Sequence, residues 1–130
     1  MIDTVLEQAV PARFAQVAAL RRCADAFLHD CLGERERHLV LLVLSELCTN
    51  SIEALHDARE EVTVRIRVHA DCIELEVEDH GPGFVRAASR AGSADDDERG
   101  RGLHVVRSLV DDLSVTRSRG LTTVHCSVAK

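Results

Sequence analysis

Leu39-Val-Leu-Leu-Val-Leu-Ser-Glu-Leu-Cys-Thr-Asn-Ser-Ile-Glu-Ala-Leu55 begins with six aliphatic residues in a row and continues at helical length. The pattern predicts a helix from about Glu34 to Asp57, with those six residues in a core. Glu46, Thr49, Asn50 and Glu53 then follow at i, i+3, i+4 and i+7, which makes them one stripe on one helix face. Val43 and Leu42 precede Glu46 by three and four, so the same face is apolar one turn earlier. Two readings stay open at this point. The second half of the helix reaches solvent, as amphipathic helices do, or the stripe lines something polar.

Around this helix, 130 residues suit a single domain, 1–130, with a core of its own. A net charge of −6 offers no basic surface to a phosphate backbone, so nucleic acid is not an expected direct partner. The cysteines (Cys23, Cys31, Cys48, Cys72, Cys126) are odd in number and form no C-x-x-C, and several lie in apolar runs. They read as reduced core residues of a cytoplasmic protein. No basic segment leads into an apolar run at the N-terminus, and no stretch reads as a membrane span, so no membrane association is expected. With three Phe and neither Trp nor Tyr, a flat ligand would have to be held by aliphatic and polar groups. The seven histidines show no metal-ligand spacing.

Residues 3–10 suit a short strand stopped at Pro11. Apolar residues recur at helical spacing from Ala12 to about Leu32, with Gly33 placed for a C-cap and Arg21 and Arg22 on a solvated face. Val62–Val68 and Ile73–Asp79 alternate aliphatic and polar residues, as strands with one solvated face must, and Ala70-Asp71 suits the tight turn between them. Residues 80–100 are rich in Gly, Ala, Ser and acids and read as a long irregular loop. A third helix is expected from about Arg101 to Asp111, then a hairpin of Leu113–Ser118 and Leu121–Val128 through Arg119-Gly120. The order (β)ααββ–loop–αββ implies an α+β fold, a two-layer sandwich of a mostly antiparallel sheet with helices on one face.

Two further features bear on chemistry. Strand parity turns Asp79 inward with Ile73, Leu75 and Val77, where a carboxylate needs a donor, and His80-Gly81-Pro82-Gly83 follows at once. An Asp that starts a turn and bonds its own backbone is the open alternative. Gly100-Arg101-Gly102-Leu103 stands at a helix start, where exposed N–H groups and the helix dipole can hold an anion. A plain helix entry turn explains it equally.

Glu46-x-x-x-Asn50, Asp79-x-Gly81-x-Gly83, Gly100-x-Gly102 and Thr122-Thr123-Val124 together resemble the N, G1, G2 and G3 boxes of the GHKL ATPases, the Bergerat fold, across essentially the whole chain. The resemblance implies an ATP site between helices and sheet, with residues about 84–100 as a lid. In it Asp79 would accept the adenine amino group, and Asn50 would hold Mg2+ alongside phosphate oxygens and waters. Gly81 and Gly83 would approach the nucleotide, Gly100, Arg101, Gly102 and Leu103 would cradle phosphates, and Thr122 would lie near adenine.

Glu46 separates branches of that superfamily. A carboxylate four residues before the asparagine can accept a proton from the attacking hydroxyl, whereas two-component histidine kinases usually carry Asn there. The E-L-C-T-N run, G-R-G-L-H-V-V-R-S-L-V-D-D and T-T-V-H are similar to the small anti-sigma-factor serine kinases. That resemblance implies a dimer that binds a sigma factor and phosphorylates an anti-anti-sigma (STAS) protein, with Arg21 and Arg22 near the contacts. An adaptor with little kinase activity, or a switch-type kinase that binds no sigma factor, stands as the alternative. The chain departs from the family pattern in three places. Glu53 and Ala54 stand where a basic residue and a His are usual, Asp95-Asp-Asp-Glu98 makes the lid acidic, and Leu121 replaces the glycine before the G3 threonine.

Overall fold

The computed structural model describes residues 4–55, 59–80 and 104–130. Strand β1 (Thr4–Pro11) leads into helices α1 (Ala15–Leu28) and α2 (Glu34–Leu55). Strands β2 (Glu61–Val68) and β3 (Cys72–Asp79) follow, then β4 (Asp112–Ser118) and β5 (Leu121–Ala129). Residues 104–109 form a helical segment before β4. The strands make one five-stranded sheet in the order β1-β2-β3-β5-β4. Every neighbouring pair is antiparallel. The α+β sandwich is the one expected.

The alternation in β2, β3 and β5 is complete, and the buried residues of all three share one face. One row crosses the whole sheet as Leu6, Ile66, Leu75, Cys126 and Leu113. α2 lies over β2 and β3, and α1 packs on β1 and α2. The core therefore sits between one sheet face and one helical layer.

Three expectations are corrected. The first helix spans Ala15–Leu28 rather than Ala12–Leu32. Ala12 N–H donates to the Glu60 carbonyl at 2.8 Å, which ties the chain to the start of β2 before the helix begins. Gly33 is not the C-cap of α1, because His29 holds that place. It stands at the start of α2 instead, where its carbonyl accepts the Arg37 N–H at 3.0 Å. Glu34 and Glu36 then occupy the first turn, on the favourable side of the helix dipole.

Leu42 is the second correction. Val40, Leu41, Val43 and Leu44 are buried, but Leu42 is 43% exposed. A helix covered by a sheet on one side and by α1 on another still has an open flank. Leu42 lies on that flank, one turn before Glu46 on the polar stripe. The third correction concerns membranes: α2 is long and apolar enough by length and composition to cross one, yet its buried residues face the core of this fold.

The two closing turns match the sequence. His69 N–H donates to the Cys72 carbonyl at 2.9 Å around Ala70-Asp71. Arg119 and Gly120 both have positive φ, 55° and 80°, as the type I′ turn of a two-residue hairpin requires.

The outer sheet face is a lattice of charge pairs between neighbouring strands, direct between Glu7 and Arg65 and otherwise mostly diagonal. Arg65 Nε donates to Glu7 at 2.5 Å, while its two terminal nitrogens reach Glu78 at 3.2 and 3.4 Å. Arg67 pairs with Glu76 at 2.5 Å. Glu74 accepts from two imidazoles, His125 Nε2 at 2.7 Å and His69 Nε2. The bond from His125 is the largest cause holding the Glu74 carboxyl below the usual range, with that from His69 adding to it against partial burial.

A depressed folded-state pKa gives stability that is present above the unfolded value and lost as pH falls through the folded one. Glu74→Gln is therefore expected to lower the melting temperature at neutral pH. The deficit should shrink as pH falls below the ordinary glutamate range and through the depressed folded-state value, where the wild-type carboxyl also becomes neutral. Calorimetric melts across that range check this, and a deficit constant with pH would contradict it.

Candidate nucleotide-binding site

Asp79 ends β3 with its carboxylate on the buried face, 2% exposed. Its register partner on β5 is Thr122, which is fully buried. The row behind them, Val64, Val77, Val124 and Val115, is wholly aliphatic. A polar pair thus closes the inner face at one end of the sheet. Inward placement of an acid is costly unless donors meet it, so the position calls for a specific environment.

α2 supplies the other wall. Glu46, Thr49 and Glu53 are half-buried and Asn50 is 8% exposed. The stripe therefore neither meets open water nor enters the aliphatic core. Asn50 Nδ2 is buried and makes no hydrogen bond among the described residues. That nitrogen is not committed to holding the helix or sheet. Since the oxygen and nitrogen of the amide are interchangeable by a flip, the side chain suits an oxygen ligand to a hard cation. Asn50 thus fits the Mg2+ role on its own chemistry.

Ser51, next along α2, is also fully buried, and its hydroxyl has no partner among the described residues. Its neighbours at helical spacing, Leu47, Cys48, Ala54 and Leu55, are all apolar, which is the signal in the sequence that turns it inward. Ser45 does not share this state, because its hydroxyl donates back to the Leu41 carbonyl at 2.9 Å.

α2 packs on β3, so the Glu46–Asn50 stripe and the Asp79–Thr122 pair both belong to the helix-covered side of the sheet. Gly81, Gly83, Gly100, Arg101, Gly102 and Leu103 lie outside the described residues, as does the expected lid at 84–100. So does the expected start of the third helix, whose described part is 104–109. Glu53 is half-buried, whereas Ala54 is 8% exposed on the core side.

A cleft of about 280 Å³ adjoins Asp79 at the same end of the sheet. Arg59, Glu60, Glu61, Thr63, Glu78, His80 and Leu121 complete its lining. Thr63 and Glu78 alternate with the buried residues of their strands, so the cleft opens on the outer face, behind the wall that Asp79 presents inward. Leu121, where the resemblance expects glycine, walls this cleft.

The two buried cysteines are no rival chemistry. Burial pushes the Cys48 thiol up to about 12. Burial, with Asp112 nearby, does the same for Cys126. Neither can supply a thiolate at neutral pH.

Comparison with known proteins bears on this arrangement of walls. Residues 10–128 match the family described as the histidine kinase-like ATPase domain. The chain belongs to that family. It is 25% identical to the serine-protein kinase RsbW of Bacillus mycoides (strain KBAB4), over 92% of this chain and 81% of that protein. RsbW of Bacillus cereus (strain G9842) is 24% identical over the same shares. In the crystal structure of the RsbU and RsbW domains of Rv1364c from Mycobacterium tuberculosis, the matching fold has a TM-score of 0.73 at 14% identity. That match covers 98% of this chain and 33% of the other, so this chain spans a third of that protein's length. The domain accordingly shares the GHKL fold of the histidine kinase-like ATPases.

For this histidine kinase-like ATPase domain, Asn50→Ala separates a ligand role from a structural one. No hydrogen bond of Asn50 Nδ2 is lost, so the melting temperature should stay within a few degrees of wild type, the scale of about 1 kcal/mol or less. Mg2+-dependent nucleotide affinity should fall at least about tenfold by calorimetric titration. A variant that melts far lower while binding normally would make Asn50 a structural residue.

Proposed function

We propose that this domain is an ATP- and Mg2+-dependent protein serine/threonine kinase that acts as an anti-sigma factor. Its partners in this reading are a sigma factor, which it binds, and a STAS-domain anti-anti-sigma protein, which it phosphorylates. It works as a cytoplasmic homodimer. The observation that supports the reading is the inward, buried Asp79–Thr122 pair on the helix-covered face of the sheet, with Asn50 buried on α2 and its Nδ2 without a hydrogen bond among the described residues. The RsbW relatives, named as serine-protein kinases, supply the class of reaction.

Asp79 would accept a hydrogen bond from the adenine amino group, and Thr122 would border the base. Gly81 and Gly83 would let backbone approach it. Gly100, Arg101, Gly102 and Leu103 would offer N–H groups and a guanidinium to the phosphates. Asn50 would hold Mg2+, which would neutralise phosphate charge and fix the phosphate chain in line.

Glu46 lies one helical turn before Asn50 on the same stripe, half-buried but reachable. It would take the proton from the substrate's serine or threonine hydroxyl. As that oxygen bonds to the γ-phosphorus, the bond to the bridging oxygen breaks and ADP leaves with the electron pair. Glu53 favours the second reading, an anti-sigma adaptor with little turnover, because it adds negative charge at the end of the same stripe.

Two substitutions test the assignment. Asp79→Asn should abolish ATP binding in calorimetric titration, because an amide presents a donor where adenine needs only an acceptor. Unchanged affinity would remove Asp79 from the site. Glu46→Gln should keep ATP affinity but lose phosphotransfer to a STAS substrate by at least about a hundredfold, the low end of general-base contributions. Phosphotransfer at the wild-type rate would show that Glu46 is not the base.

A further inference from the structure

Behind Asp79, the outer face of the sheet carries a clamp that has no part in nucleotide contact. Glu78, the preceding residue, points outward and is gripped from both neighbouring strands. From β2, two Arg65 nitrogens reach its two carboxylate oxygens at 3.2 and 3.4 Å. From β5, Thr123 Oγ1 donates to it at 3.5 Å. The third Arg65 donor is taken by Glu7 of β1 at 2.5 Å, so one guanidinium ties three strands together.

This grip falls at a vulnerable point. β3 leaves the sheet after Asp79, and strand ends open more readily than strand centres. Glu78 and Asp79 share a peptide unit, and their register partners, Thr123 and Thr122, are likewise adjacent. Fixing Glu78 against Arg65 and Thr123 therefore fixes where the Asp79 carboxylate sits relative to Thr122. The neighbouring pair of Arg67 and Glu76 lies two residues further back along β3 and holds no such end.

We propose that Arg65 is a positioning residue for base recognition: its fork on Glu78 holds Asp79 in register with Thr122, and its bond to Glu7 links that register to the edge strand β1. This rests on Asp79 being the adenine acceptor. The effect of Arg65 is then on selectivity for the base more than on affinity for the phosphates, which other elements hold.

The test compares Arg65→Gln with Arg67→Gln, a matched loss of an outer-face ion pair, titrating each with Mg-ATP and Mg-GTP. In Arg65→Gln, ATP affinity should fall about tenfold while GTP affinity stays near wild type, so the preference for ATP narrows. Arg67→Gln should leave the preference intact, and Arg65→Lys, which keeps the charge without the fork, should recover only part of it. Glu78→Gln, which removes the other half of the clamp, should narrow the preference as Arg65→Gln does and serves if that variant does not fold. A proportional loss of both nucleotides, or equal narrowing in Arg67→Gln, overturns the proposal. Wild-type protein without any preference for ATP would instead overturn the base-recognition reading beneath it.

Discussion

A strand sends successive side chains to opposite faces, and here only one face is covered. That constraint governs the rest of the molecule. It puts Val62 to Val68 and Ile73 to Val77 under α2, and by the same parity it carries Asp79 inward at the end of β3. Shifting the strand by one residue would return Asp79 to water but expose every aliphatic partner of its row. The apolar burial of a whole strand outweighs the cost of one carboxylate, so the core itself forces an acid to the end of the inner face. In the proposed role, an adenine acceptor in this place needs no special loop to present it.

The same parity builds the outer face. Glu74, Glu76 and Glu78 alternate with the core residues, and Arg65, Arg67 and His69 meet them along the diagonals of the twisted sheet. Exposed ion pairs contribute little to stability singly, and this lattice is better understood as fixing register than as a store of energy. Register matters most at the β3 end, where Glu78 faces the lattice and Asp79 faces the helix-covered side. The two faces are thus mechanically joined without sharing any side chain.

Much of this was legible in the sequence because the signals are local. Alternation named β2 and β3, Arg119-Gly120 named the turn of the closing hairpin, and the 3–4 spacing on α2 named a polar stripe that is half-buried or buried. What escaped were matters that pairing alone decides. The flank of α2 left open at Leu42 depends on how two layers cover a cylinder, and six aliphatic residues in a row look alike until they do. Gly33 reads equally as the end of one helix or the start of the next until hydrogen bonds choose. The hold of Arg65 on Glu78 was visible only as opposite charges on two alternating strands, since the diagonal that joins them exists only once the strands are in register.

The strand order has a consequence for how the domain comes into being. β3 is flanked by β2, its neighbour in sequence, but its other side waits for β5, and the Glu78 and Thr123 contact spans 45 residues. A ribosome delivers β2 and β3 early, as a hairpin with one bare hydrogen-bonding edge and an aliphatic row. Until β5 arrives, that edge is open to other chains, and closing so long a loop is a slow step. The end of the inner face that Asp79 shares with Thr122 is therefore completed last. A nascent or clipped chain that already holds Glu46 and Asp79 still lacks the strand that pairs Asp79 with Thr122.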